Sequence, residues 1–194
     1  MMDRVTSADA PEPRPAARLG PALKTWRLLL RIKQSHAAEL IGVSQATVSR
    51  WESAGQEPTG AQAERLGALM AARLDSASDR ALAALVRHSE SEVHLICDAS
   101  HRLLAASPAR TQGWRITAAE LTGTSLWRYA SAEIVQAEAR LGEAGWFEPL
   151  APAIELATGP NASDAVPIRP GRVRWTRMRL SDGSFARLVQ AVAA

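Results

Sequence analysis

Gln45, Ala46, Ser49 and Arg50 lie in the stretch GVSQATVSRWE, residues 42–52, where the apolar residues Val48 and Trp51 stand three apart. Neighbours on one helix face are three or four residues apart, so a helix that buries Val48 and Trp51 turns the other four outward. These residue types can read base edges. Gln pairs with adenine through two hydrogen bonds, Arg engages guanine at O6 and N7, and Ala or a Thr methyl can touch the thymine methyl. Ser44 and Thr47 are suited to phosphate contacts.

Such a helix needs a support. From Pro21 to Leu74 apolar residues recur at three- and four-residue steps, which predicts several short helices. Pro21 suits a first turn, and Leu23, Trp26 and Leu30 share a face of helix one. A second helix is predicted from about Gln34 to Ile41. Gly42 can take the left-handed conformation that ends it, and Ser44 is a suitable N-cap for a third helix reaching about Ser53. Gly55 and Pro58 break the chain before a fourth helix, about 60 to 74, with Leu66, Leu69, Met70 and Leu74 along one stripe. A further helix, about Asp79 to His88, aligns Leu82, Leu85 and Val86 and is expected to link two domains.

Residues 23–58 resemble the helix-turn-helix of the Cro and phage-repressor type, also called the xenobiotic-response-element family. Gln34, Ala38, the Gly42-Val43-Ser44 turn, Val48, Trp51, Glu52 and Pro58 carry the resemblance. It implies that Gln34 contacts phosphate, that Gln45, Ala46 and Arg50 read bases, and that Ser44 and Thr47 make backbone or mixed contacts. It also implies a buried pair between Arg27 and Glu52. The chain departs from the family pattern at three places: Arg31 stands where Gly is frequent, Lys33 where Thr or Ser is frequent, and Gly55 comes one residue late. Lys33 can add a phosphate contact but cannot accept the orphan amide bonds of a helix start.

The second half has a different texture. Short β-compatible runs, Val93 to Cys97 and Arg102 to Ala106, precede helical stretches and a long Arg-rich strand, and this reads as α+β. Asp182 and Gly183 between Val173–Leu180 and Phe185–Val192 signal a hairpin. The stretches LICDASHRLLAASPA (95–109) and ELTGTSLWRYAS (120–131) resemble a PAS sensor domain, covering roughly residues 91–194. The resemblance implies a first strand ending in an acidic turn, matched by Asp98 to His101, and short helices around a cavity. His101 replaces the usual turn glycine and Ser107 the usual helix-leading Asn.

His94, Cys97 and His101 are close in sequence and of ligand type, but an odd separation puts His94 and Cys97 on opposite faces of a strand, so no metal or haem site is expected. Trp114, Trp127, Trp146, Phe147 and Trp175 could line a cavity, with core packing the expectation. Arg172, Arg174, Arg177 and Arg179 could bind an anion or extend a DNA contact, and are expected to be solvated. No Walker, dinucleotide or nucleophile pattern is present, which argues against an enzyme.

Across 194 residues, 46% hydrophobic and 22% charged residues describe a folded chain long enough for two cores. The net charge is only +3, but Lys and Arg outnumber Glu between Leu19 and Arg73, where the polar helix lies. One cysteine, Cys97, excludes an internal disulfide and is expected to be an inert buried thiol. No apolar run is long enough to span a membrane and no signal-peptide order opens the chain. A cytoplasmic protein is expected.

The expected division is a disordered arm at 1–18, a helix-turn-helix domain at 19–74, a linker helix at 75–90 and a PAS-like sensor or dimerisation domain with an antiparallel sheet at 91–194. The expected function is a sequence-specific regulator of transcription, a homodimer on a double-stranded DNA operator, with a small molecule or a protein as ligand of the PAS-like domain. No cofactor can be assigned from the sequence. The alternative is a DNA-binding antitoxin or adaptor whose second half binds a partner protein.

Overall fold

The computed structural model describes residues 19–192, so the arm expected at 1–18 lies outside the described residues. Four helices come first: α1 (Leu19–Leu30), α2 (Gln34–Ile41), α3 (Gln45–Glu52) and α4 (Ala61–Leu69). α1 buries Leu23, Trp26 and Leu29, the stripe that its apolar spacing dictates. Between α2 and α3, Gly42 is left-handed at φ 78° and donates its amide to Ala38 and Glu39, closing α2. Ser44 then caps α3, its Oγ accepting from the Thr47 amide. Val48 and Trp51 are fully buried against Leu23, Ile41 and Leu66; an apolar side chain so placed stabilises by about 2 kcal/mol.

α4 is shorter than the sequence suggests. It stops at Leu69 instead of reaching Leu74, with Met70 as its cap. Met70 is held in the first core, Leu74 packs on a second apolar cluster farther along, and Ala72 between them touches both. Propensity favours continuing the helix, and tertiary packing overrides it.

α5 (Ala77–Arg87) opens with a capping box in which Ser76 and Asp79 bond each other's amides. The Asp79 carboxylate also accepts from the Ser181 amide and hydroxyl, pinning the helix start to a distant hairpin. These hydrogen bonds, the Ser181 hydroxyl foremost, hold Asp79 below the usual carboxylate range.

Beyond α5 lie β1 (Val93–Cys97), β2 (Leu103–Ala106), α6 (Pro108–Thr111), α7 (Ala118–Leu121), a 3-10 turn (Leu126–Tyr129), α8 (Ala132–Ala139), β3 (Ile154–Thr158), β4 (Gly171–Arg179) and β5 (Phe185–Val192). The strands form one antiparallel sheet in the order β2-β1-β5-β4-β3. The fold class is the one expected: helices first, then α+β around an antiparallel sheet. The hairpin at Asp182 and Gly183 is present, with Gly183 at φ 84°. β3 has no forewarning in the sequence reading. It is a short edge strand whose burial alternates weakly, and Glu155 within it bonds Arg172 and Arg174 on β4.

Period-two alternation divides the sheet's contacts. Val93, Leu95 and Ala186 pack on Ala83 and Val86 of α5, whereas Ile96, Val173, Trp175 and Val189 face the short helices. Cys97 and Ala99, at the end of β1, belong to the first core with Trp26 and Met70. The two halves of the chain therefore share a packed contact at the tip of one central strand.

The departures from the family glycine pattern have a conformational outcome. Arg31, Ala54 and His101 are the non-glycine residues with positive φ among those described, at 58°, 58° and 56°. Arg31 and His101 stand where glycine is usual, and Ala54 precedes the late Gly55. After α3, the Ala54 amide returns to Trp51 and the Gly55 amide to Arg50, so Ala54 holds the left-handed position of a Schellman motif. We expect Ala54→Gly to raise the stability of the full chain by about 0.5–1 kcal/mol, relief of the Cβ clash exceeding the added chain entropy. A urea midpoint unchanged or lowered would contradict this.

Candidate functional site

The first candidate site is the outer face of α3. Ser44, Gln45, Ala46 and Arg50 are exposed, while Thr47 and Ser49 are half-buried. Ser44 and Thr47 bond each other through their hydroxyls at 2.8 Å, and the Arg50 guanidinium lies 3.5 Å from Thr47 Oγ1. Gln34 is half-buried, and its amide group is used at both ends. Its Nε2 donates to Glu52 Oε2 at 3.0 Å, and its Oε1 accepts from Gln45 Nε2 at 2.8 Å. Glu52 in turn takes a two-pronged bond from Arg27, at 2.7 and 2.8 Å. Burial opposes the charge on Glu52, but the bonds from Arg27 and Gln34 outweigh it and hold the carboxyl below its usual range.

A chain of side chains thus runs from helix α1 through the end of α3 to Gln45 at its start. The sequence brought Arg27 and Glu52 together only through the family resemblance, and it did not bring Gln34 to Gln45. Their contact joins the first residues of α2 and α3 across eleven positions of the chain. Lys33, the residue before α2, makes no side-chain cap bond, as its chemistry requires.

The second candidate site is a cavity of about 90 Å³ between the sheet and the short helices. Three of the five aromatics singled out in the sequence, Trp114, Trp127 and Trp175, line it. Trp146 is instead fully buried core and donates Nε1–H to Asp98 at 2.9 Å, while Phe147 packs against the same core. His94 and Ile96 face this cavity from β1. Cys97 turns to the other side and points its thiol at the Met70 carbonyl, 3.5 Å away, as strand alternation requires. No group of three or more metal-ligating side chains gathers among the described residues.

One wall of the cavity is built around Arg187, a residue the sequence reading passed over. It is 1% exposed and donates from Nε to Asp98 at 2.6 Å and from Nη1 to Glu138 at 2.6 Å. Its guanidinium also lies over Trp175 and Trp146, at 4.5 and 5.1 Å from the ring centroids. His101 completes the group, 3.1 Å from Glu138 and stacked on Trp127. The available signal was parity: Arg187 shares its strand face with the buried Val189.

Two other polar groups at the cavity are not satisfied. His94 Nδ1 and Arg110 Nε are buried and have no hydrogen-bond partner among the described residues. Burial, reinforced by the Arg110 charge, pushes His94 well below the usual histidine range, so it is neutral. The carboxylate paired with Arg110 among the described residues is Glu92, at 3.8 Å.

The arginines of β4 fall into distinct roles. Arg172 and Arg174 are exposed and share Glu155, at 3.2 and 2.5 Å, and Arg179 is exposed. Arg177 departs from the solvated pattern expected for the set: it donates to the carbonyls of Trp146 and Glu148 and lies over Phe185. It fastens the loop after α8 to the sheet.

These two sites define a chain with a helix-turn-helix at its start and a cavity-bearing α+β domain after it. The family model described as helix-turn-helix matches residues 23–71. No curated protein gives a significant match. Among solved structures, the chain is similar to the PAS domain of an HTR-like protein from Haloarcula marismortui, at 14% identity over 59% of this chain and 96% of that one, with a TM-score of 0.38. A PAS domain from Desulfitobacterium hafniense is 17% identical over 56% of this chain and 99% of that one, with a TM-score of 0.39. An RNA-binding light-oxygen-voltage receptor is 10% identical over 91% of this chain and 59% of that one, with a TM-score of 0.41. No helix among the described residues is long and apolar enough to cross a membrane.

Proposed function

We propose that this protein is a transcriptional regulator that reads double-stranded operator DNA through α3 and is controlled through its cavity-bearing domain. The observation that carries the reading is the exposed Gln45, Ala46 and Arg50 face, mounted on buried Val48 and Trp51 and braced by the Arg27–Glu52–Gln34–Gln45 chain. In this reading Arg50 and Gln45 engage base edges, Ala46 meets a thymine methyl, and Ser44 and Thr47 hold phosphate. Gln34 orients Gln45 and reaches the backbone. The uncapped start of α2 leaves amides to receive a phosphate, with Lys33 beside them.

Two copies would set their recognition helices in successive major grooves, about 34–36 Å apart, on a palindromic site. Control would pass along β1. It carries His94 and Ile96 into the cavity and, on its other face, packs Val93 and Leu95 on α5 and Cys97 against Met70. A ligand that favours one placement of this strand would bias the placement of the DNA-binding helices. The unsatisfied groups in the cavity favour a small-molecule ligand over the protein partner of an antitoxin or adaptor.

Selection of bound DNA sequences by the full chain tests the reading. Arg50→Ala is expected to lose preference at one operator position, by about 1–3 kcal/mol. Lys33→Ala should weaken binding evenly across sequences and reduce the salt dependence by about one counterion. Selectivity that survives Arg50→Ala unchanged would remove that residue from the interface.

A further inference from the structure

We propose that the cavity binds a small organic carboxylate with a compact apolar or aromatic body, its carboxylate held by Arg110 and His94. The inference rests on the reading of this domain as the regulatory half, and it assigns the chemical class of what that half senses.

Charge in the wall is the first reason. Arg110, Arg169 and Arg187 line the cavity, and among the described residues no acidic side chain does. Arg187 is already neutralised by Asp98 and Glu138. Arg110 is not: Glu92, its carboxylate neighbour, is 3.8 Å away on a side chain that is 57% exposed. A cationic ligand would be repelled, and a neutral one would leave the largely buried guanidinium with only the long pair to Glu92 to offset its charge among the described residues.

Unused hydrogen-bonding capacity is the second. Arg110 Nε–H can only donate, and it lacks an acceptor. His94 Nδ1 is likewise without a partner and can donate in the appropriate tautomer. A carboxylate has an oxygen for each. Arg169 and Arg110 also line an outer cleft of about 490 Å³, which gives a ligand a way in at the charged end of the cavity.

Shape and polarity supply the third. Most of the remaining wall is apolar, Ile96, Trp114, Trp127, Ile168, Trp175 and Val189 among it, with His101, Tyr129 and Thr158 as its polar members. The cavity volume of about 90 Å³ is smaller than the apolar cavity of about 150 Å³ that takes up benzene, so the body must be compact and the carboxylate must lie toward the outer cleft that Arg110 and Arg169 also line. Inorganic phosphate would satisfy the donors but leave the apolar wall unfilled.

Benzoate is a suitable probe, with benzyl alcohol as its neutral counterpart and inorganic phosphate as the bare anion. Titration calorimetry on the full chain, without DNA, should show saturable benzoate binding at least about tenfold tighter than either control. Arg110→Gln should weaken benzoate by about tenfold or more with benzyl alcohol unaffected, and Arg110→Lys should restore part of the loss. In histidine-labelled protein, benzoate should raise the pH at which His94 titrates, because an adjacent carboxylate favours the imidazolium.

The assignment is overturned if benzoate gives no saturable heat, if benzyl alcohol or phosphate binds as tightly, or if a folded Arg110→Gln binds benzoate as wild type does. Should Arg110→Gln not fold, the comparison of the three probes on wild type and the His94 titration decide. Benzoate binding that leaves operator affinity unchanged would defeat the regulatory reading while the ligand class stood.

Discussion

Arg187→Met is expected to destabilise the C-terminal domain by about 3–5 kcal/mol, the range for removing one partner of a buried ion pair. Arg187 is 1% exposed and Asp98 0% exposed, so neither charge can turn to water when the other is lost. Asp98 would retain the Trp146 indole and the more distant charge of Arg177, and Glu138 would retain His101, but both carboxylates would lose the guanidinium that bonds them directly. Methionine fills much of the arginine volume, which separates the charge effect from a cavity effect.

The pH dependence gives a second check on the same residue. Burial raises the pKa of Glu138, but Arg187 and then His101 overcome it and hold the folded carboxyl far below its ordinary value of 4.5. A carboxyl depressed on folding adds stability that is present above the unfolded value and is lost as pH falls through it toward the folded value. Wild type should therefore lose this contribution below about pH 4.5. The variant lacks it from the start, so the gap between the two urea midpoints should narrow in acid. A loss under about 1 kcal/mol, or a gap of constant size down to acid pH, would show that Arg187 is not the hub of this group.

Gly20→Ala should have the next largest effect, on the other half of the chain. A Cβ at Gly20 would lie 2.0 Å from the Trp51 carbonyl oxygen and 2.7 Å from its carbon. Those are backbone atoms of α3, so relief requires α1 to move from the helix it supports. Overpacking of this kind costs about 1–3 kcal/mol, and more where backbone is the obstacle. Displacing α1 also disturbs Arg27 and, through Glu52, the Gln34 to Gln45 contact, so DNA affinity should fall with stability. Gly67→Ala is the control: within α4 its added methyl meets nothing within 4 Å, and it should be neutral or stabilising by up to about 1 kcal/mol. Equal midpoints for Gly20→Ala and wild type would mean that α1 has room the structure does not show.

What the sequence determined by itself was local. Gly42 ends one helix and Ser44 starts the next because left-handed backbone and amide capping are decided by neighbours in the chain. The outward face of α3 follows from the spacing of Val48 and Trp51, and the last hairpin from Asp182 and Gly183. Two departures from the glycine pattern were legible, since Arg31 and His101 mark backbone positions whose φ is set by the turn and not by the side chain, while the late Gly55 did not show that Ala54 holds the left-handed position.

The tertiary structure alone decided whatever depends on residues far apart. Arg187 meets Asp98 and Glu138 across 89 and 49 residues, a juxtaposition that exists because β5 pairs with β1 in the sheet's centre. α4 ends at Leu69 because Met70 and Leu74 pack in different clusters, a competition that helix propensity does not record. Gly20 is required by a backbone that approaches it from α3. The unsatisfied groups on His94 and Arg110 become a site only because the sheet and the short helices close around them and exclude the water that would otherwise bond them.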